Sequence, residues 1–123
     1  MIHLDTNFLI QLSVAGSPAH AQFTSWASAQ EAVNVSTIAW AEFLCGPMDA
    51  TAAALAQQIF PQPEPFLPAD AALAASLFNQ TGRRSRSLAD CMIAAVALRG
   101  GAKLATLNAG DFQPLTGHGL ILA

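Results

Sequence analysis

The sequence is poor in charge: only 11% of its 123 residues are Asp, Glu, Lys or Arg, less than half the share of an average globular chain. It is poor in cysteine too. Cys45 and Cys91 stand apart with no Cys-x-x-Cys spacing, which excludes a disulfide framework and a cysteine-built zinc site. His3, His20 and His118 lack metal-ligand spacing among themselves. No apolar run approaches the roughly 18 residues a membrane span needs, because Ser, Gln, Arg and Pro interrupt every candidate. There is no basic, then apolar, then small-residue pattern of a secretory leader, so a reducing cytoplasm is the expected location. Low-complexity tracts and sequence repeats are missing as well. What remains is a chain that is 53% apolar, much of it alanine, with a net charge of −3 and a length that predicts one domain over residues 1–123. In such a chain each ionised side chain carries information.

The apolar pattern alternates between strand and helix. Residues 2–5 form a short apolar strand leading into Thr6-Asn7, which readily cap a helix carrying Phe8, Leu9 and Leu12 at helical spacing. Ser17-Pro18 opens a second helix through Phe23 and Trp26. "AVNVS" (32–36) is a strand, and Ser36 or Thr37 caps the next helix, which passes Trp40, Glu42 and Leu44 and stops at Gly46-Pro47. "MDATAAALAQQIF" and "ADAALAASLFNQTG" read as helices, and "PQPEPFLP" between them leaves room for a short edge strand around Phe66-Leu67. Ser87 opens a helix to Arg99, Gly100-Gly101 breaks it, "AKLAT" is a buried strand, and "GLILA" is a final strand. Alternation of this kind requires crossovers. The expected class is therefore α/β, with a mostly parallel central sheet of four or five strands and helices on both faces.

Ligands of open parallel sheets bind beyond the carboxyl ends of the strands. Asp5 ends the first strand, Glu42 lies in the helix after the second, Asp90 sits in the first turn of the helix opened by Ser87, and Asp111 follows the strand containing Leu104 and Thr106. Four carboxylates gathered at one edge would repel each other and be costly to desolvate, so they need a cation or protons. Oxygen-only donors select a hard ion, Mg2+ or Mn2+, able to activate water at a phosphodiester. Each acid also has a plainer reading. Asp5 can cap the helix after it, and Ser87 to Asp90 and Asn108 to Asp111 both have capping-box spacing. Glu42, one turn into its helix and flanked by Trp40 and Phe43, has the weakest plain reading. Arg83, Arg84 and Arg86 share the loop before Asp90, either as a solvated loop or as a phosphate clamp at the rim of an acidic cleft.

Three blocks, "HLDTNFLI", "VNVSTIAWAEFLCG" and "LADCMIAAVALRGGAKLATLNAGDF", resemble the PIN-domain ribonucleases, most closely the VapC-type toxins of bacterial toxin/antitoxin pairs. The resemblance covers nearly the whole chain, with residues 47–82 matching in helical character alone. It implies a compact α/β fold and a metal-dependent endoribonuclease site. By position it assigns the acidic quartet to Asp5, Glu42, Asp90 and Asp111, with Asp5 and Asp90 as direct metal ligands. Thr106 falls on the threonine that helps hold the site, with Asn7 and Ser36 as polar neighbours, while Leu107 stands where a basic or polar residue is common. The resemblance also implies a homodimer silenced by a VapB-like antitoxin whose tail enters the active-site groove.

Two other classes fit less well. A haloacid-dehalogenase-like phosphatase needs a second acid two residues after the first, and Asn7 occupies that place; a receiver domain is disfavoured similarly. A non-catalytic PIN-like module binding RNA or protein has no need for all four acids.

Overall fold

The computed structural model describes residues 1–123 as three short strands threaded among seven helices: β1 (Ile2–Leu4), α1 (Thr6–Leu12), α2 (Pro18–Ser28), β2 (Val33–Val35), α3 (Thr37–Cys45), α4 (Ala50–Ile59), α5 (Pro68–Gln80), α6 (Leu88–Arg99), β3 (Lys103–Ala105) and α7 (Ala109–Thr116). The sheet is parallel with order β2-β1-β3, so the first strand is central, pairing Leu4 with Val35 on one side and Ala105 on the other. Caps follow the sequence at Ser17, whose Oγ accepts from His20 N–H, and at Ser36, whose Oγ accepts from Ala39 N–H.

The expected four or five strands are three. The other two are reduced to single parallel bridges, Ser36 with Glu64 and Leu104 with Leu122. Glu64, two residues before the place expected, donates its N–H to Val35 C=O and accepts from Thr37 N–H, both at 2.8 Å. Its neighbours Pro63 and Pro65 have no N–H, so the ladder cannot lengthen there. A second departure is α7, absent from the strand-helix alternation although the capping-box spacing of Asn108 to Asp111 marked a helix start there. Pro114 removes the N–H that would bond to Gly110, but Phe112 and Leu115 on the same helix are fully buried, and that burial outweighs the lost bond.

Period-two alternation splits the core. Ile2, Leu4, Val35 and Ala105 face a cluster containing Phe8, Leu9, Leu12, Phe43 and Phe60, while Leu104 faces one containing Leu77, Ile93, Phe112, Leu115 and Leu120. Phe8 and Leu12 are buried, and Phe8 stacks on half-buried Trp26 at 5.5 Å between centroids, so these apolar side chains serve the core first. The unbroken buried run Ile93–Ala97 makes α6 the central helix, and its alanines let α5 and β3 approach closely.

One ion cluster pins the proline-punctuated segment to this scaffold. Arg99, ending α6, places Nε on both oxygens of Asp70 at 2.8 and 3.0 Å, one Nη on Glu64 Oε1 at 3.0 Å and the other on the Pro65 carbonyl at 2.9 Å. Asp70, 1% exposed, also accepts from Leu67 N–H at 2.8 Å. No helix is long and apolar enough to cross a membrane.

Candidate functional site

Asp5 leaves the carboxyl end of the central strand with its N–H bonded to Ala105 C=O at 2.9 Å. In extended conformation it caps α1, and Oδ1 accepts from Thr6 N–H at 2.8 Å. Its Oδ2 accepts from Thr106 Oγ1 at 2.8 Å, and that hydroxyl in turn accepts from Asn108 N–H at 2.9 Å. A threonine one residue beyond β3 thus ties the two strand ends together. Thr6 does a second job that its reading as a helix starter gave no sign of: its hydroxyl donates to Glu42 Oε1 at 2.7 Å, joining the first acid to the second.

Asp5 is only 4% exposed. Burial pushes its pKa up, the bonds from Thr106 and Thr6 oppose this, and Glu42 and Asp111 add to the rise. Asp90, half-buried in the first turn of α6, is raised to about 6, chiefly by burial, then by Asp5, Asp111 and Glu42, with Arg84 opposing. Four acids from four separate stretches therefore lie within electrostatic reach of one another. Glu42 and Asp111 are exposed. For Glu42 this is the solvated helix face that its neighbours Trp40 and Phe43 made look cramped.

The capping alternatives divide. Asp5 does cap α1, so both readings hold there. Neither Ser87 nor Asn108 makes a side-chain cap bond, and Ser87 Oγ instead donates to Arg84 C=O at 2.7 Å. Asp90 and Asp111 are thus not members of capping boxes. A carboxylate reaching back to an N-cap N–H occurs elsewhere, from Asp70 to Leu67. Ser36 is fully buried as the cap of α3, and Asn7 is exposed on the first turn of α1.

The three arginines go different ways. Arg84 reaches the acids: one Nη donates to the Asp111 carbonyl at 3.0 Å. Arg83 lies over the Phe78 ring at 5.3 Å and bonds Asn79 Oδ1 at the end of α5. Arg86 is exposed, and both Arg83 and Arg86 have positive φ.

The donor set suits a hard cation: all four groups are carboxylates, and Asp90 is raised to about 6 chiefly by burial and then by the other three. As the side chains stand, no three of them share one ligating point. The chelated protein should therefore carry an uncompensated charge cost. Asp90's folded pKa of about 6 lies above its ordinary 3.8, so the native state binds the extra proton. Stability contributed by that proton is full below about pH 4 and lost as pH rises through about 6. In chelator, Asp90→Asn should be more stable than the parent by roughly 1–2 kcal/mol at pH 7.5, after discounting for solvent screening, and equal to it near pH 4. Urea melts at the two pH values measure this; a gap of the same size at both would remove Asp90 from the repelling set.

The family model described as "PIN domain" matches residues 2–113. No curated protein matches the sequence. Among solved structures, the chain is similar to VapBC2 from Rickettsia felis bound to a DNA fragment of its promoter, at TM-score 0.77 and 17% identity, covering 100% of this chain and 98% of the other. FitAcB from Neisseria gonorrhoeae superposes at TM-score 0.70 and 23% identity, with 100% and 97% covered. VapC20 from Mycobacterium tuberculosis, described as a sarcin-ricin loop cleaving toxin, superposes at TM-score 0.70 and 20% identity, with 100% and 98% covered.

Proposed function

The chain belongs to the PIN-domain family, and from that premise we propose that it is a metal-dependent endoribonuclease acting as the toxin of a toxin/antitoxin pair. The observation that carries this reading is the convergence of Asp5, Glu42, Asp90 and Asp111, two of them raised in pKa by burial and by the others, at the carboxyl ends of β1 and β3. Asp5 and Asp90 are the proposed direct holders of Mg2+ or Mn2+, with Glu42 and Asp111 completing an all-oxygen shell. A bound ion of this class activates water and stabilises charge on a phosphodiester. The chain's own part is positioning. Thr106 and the Thr6 N–H fix both oxygens of Asp5, and the Thr6 hydroxyl fixes Glu42. Burial keeps Asp5 from trading its place for water. Asn7 and Ser36 support the same corner, and the loop of Arg83, Arg84 and Arg86 supplies positive charge for the RNA backbone.

The partner proposed is a VapB-like antitoxin. Antitoxin complexes among the fold neighbours support it, and so does an apolar groove of about 170 Å³ between α1, α2, α3 and α4, lined by Leu9, Leu12, Phe23, Leu55, Ala56 and Ile59 and containing none of the four acids. Leu55 is 51% exposed and Ile59 39%, a rim suited to an apolar partner helix. Leu55→Glu with Ile59→Glu should weaken antitoxin binding at least about tenfold and leave cleavage intact. Titration calorimetry beside a cleavage assay reads both, and unchanged affinity would place the antitoxin elsewhere. A homodimer in a cytoplasmic setting completes the proposal. The non-catalytic alternative predicts RNA binding that is indifferent to the carboxylates. Incubating the purified chain with structured RNA, with and without Mg2+, tests the activity: cleavage should need the ion and vanish in chelator.

A further inference from the structure

Arg84 is the basic residue of its loop whose side chain is spent on the site, and it is only partly spent. Its backbone carbonyl accepts both the Ser87 hydroxyl at 2.7 Å and the Ser87 N–H at 3.2 Å, fixing it to the start of α6, where Asp90 lies. One Nη donates to the Asp111 carbonyl at 3.0 Å, fixing the guanidinium to the start of α7. The guanidinium plane is thereby held between the helices that carry two of the four acids. Its Nε–H is buried and has no acceptor in the protein. A buried, charged N–H without a partner is unusual, because such donors are almost always paired. The neighbours differ: Arg83 is turned onto Phe78 and Asn79, and Arg86 is exposed and bonds neither the acids nor α7.

We propose that, of the three arginines, Arg84 makes the direct substrate-phosphate contact, its guanidinium anchored by the Asp111 carbonyl and its free Nη donors, not the buried Nε, meeting an oxygen of the RNA backbone beside the acidic quartet. This rests on the ribonuclease reading of that quartet. A planar fork held at one nitrogen presents the others in fixed directions, which a lysine ammonium cannot copy.

The test is RNA binding by the full chain in an Asp5→Asn background, where the ribonuclease reading predicts no turnover, so that Kd is read directly with a fluorescent single-stranded RNA across a salt series. Adding Arg84→Gln should weaken binding about tenfold or more and reduce the slope of log K against log salt by about 0.7, the contribution of one phosphate contact on a single strand. Arg84→Lys should keep the slope and still lose affinity, because it retains charge and loses the fork. Lys103→Gln, a loss of the same charge on an exposed residue of β3, should change neither. Equal Kd and slope for Arg84→Gln and its parent would overturn the assignment. So would a loss of affinity at unchanged slope, which marks a purely structural role. Persistent cleavage by Asp5→Asn would instead overturn the reading of the acids, and failure of that parent to bind RNA at all would overturn both.

Discussion

Asp5→Asn and Asp90→Asn should each lower RNA cleavage by at least about 10³-fold while leaving the chain folded and, in chelator at neutral pH, no less stable than the parent. The two halves of this result come from one cause. Each carboxylate costs stability because it is buried beside other acids, and each is useful because those acids together demand a divalent ion. Removing one charge relieves the cost and removes a ligand. For Asp5→Asn the amide can still accept from Thr106 or Thr6 but not from both with full carboxylate strength, so its stability gain should be the smaller. Parallel measurements of kcat/KM and of melting temperature with and without Mg2+ decide the matter. The parent should gain several degrees on adding Mg2+, and the variants much less. A variant that loses activity together with its fold, or cleaves at the parental rate, would remove the carboxylate from the site.

The largest stability effect is expected far from the acids. Arg99→Met strands Asp70, a carboxylate 1% exposed with Leu67 N–H as its remaining bonded partner, and also frees Glu64 and the Pro65 carbonyl. Removing the partner of a buried carboxylate leaves its charge uncompensated, and because Arg99 itself is exposed and screened the melting temperature should fall by roughly 5–10 °C. Adding Asp70→Leu to that variant should recover part of the loss. The remainder reflects the Leu67 N–H left without an acceptor. Thermal melts of the single and double variants give the answer. An Arg99→Met chain melting within a degree or two of the parent would mean that the cluster contributes little to holding residues 64–70.

The legible parts of the fold were those written in local pattern. Ser17-Pro18, Ser36 and the Gly46-Pro47 stop set helix boundaries through backbone chemistry that any reader of the sequence can apply, and the structure places α2 and α3 accordingly. The α/β class followed from alternation alone. What stayed hidden depends on distant partners. Whether "PQPEPFLP" makes a strand or one bridge turns on which of its few N–H groups meets Val35, and α7 survives Pro114 because Phe112 and Leu115 find a core that no window of sequence displays. At the site, type and order singled out the four carboxylates. Their capping alternatives could be weighed only once Ser87 and Asn108 were seen to make no cap bond. Thr6 was overlooked as a site residue because it has an ordinary local role as helix opener, whereas Arg84 was singled out only together with Arg83 and Arg86, since spacing within one loop does not tell which of the three turns toward the acids.

The two single-residue bridges also govern how copies of this chain can meet. One sheet margin is occupied at Glu64 between residues that offer no hydrogen, and the other at Leu104, whose N–H and C=O are taken by Ile121 and Ala123. The Glu64 flank is closed as a docking rail for a foreign extended segment, whereas on the other flank the Leu122 N–H and C=O point outward. On the Glu64 side any neighbour must therefore be met by helical surfaces, where side-chain shape and not backbone pairing decides which one is accepted.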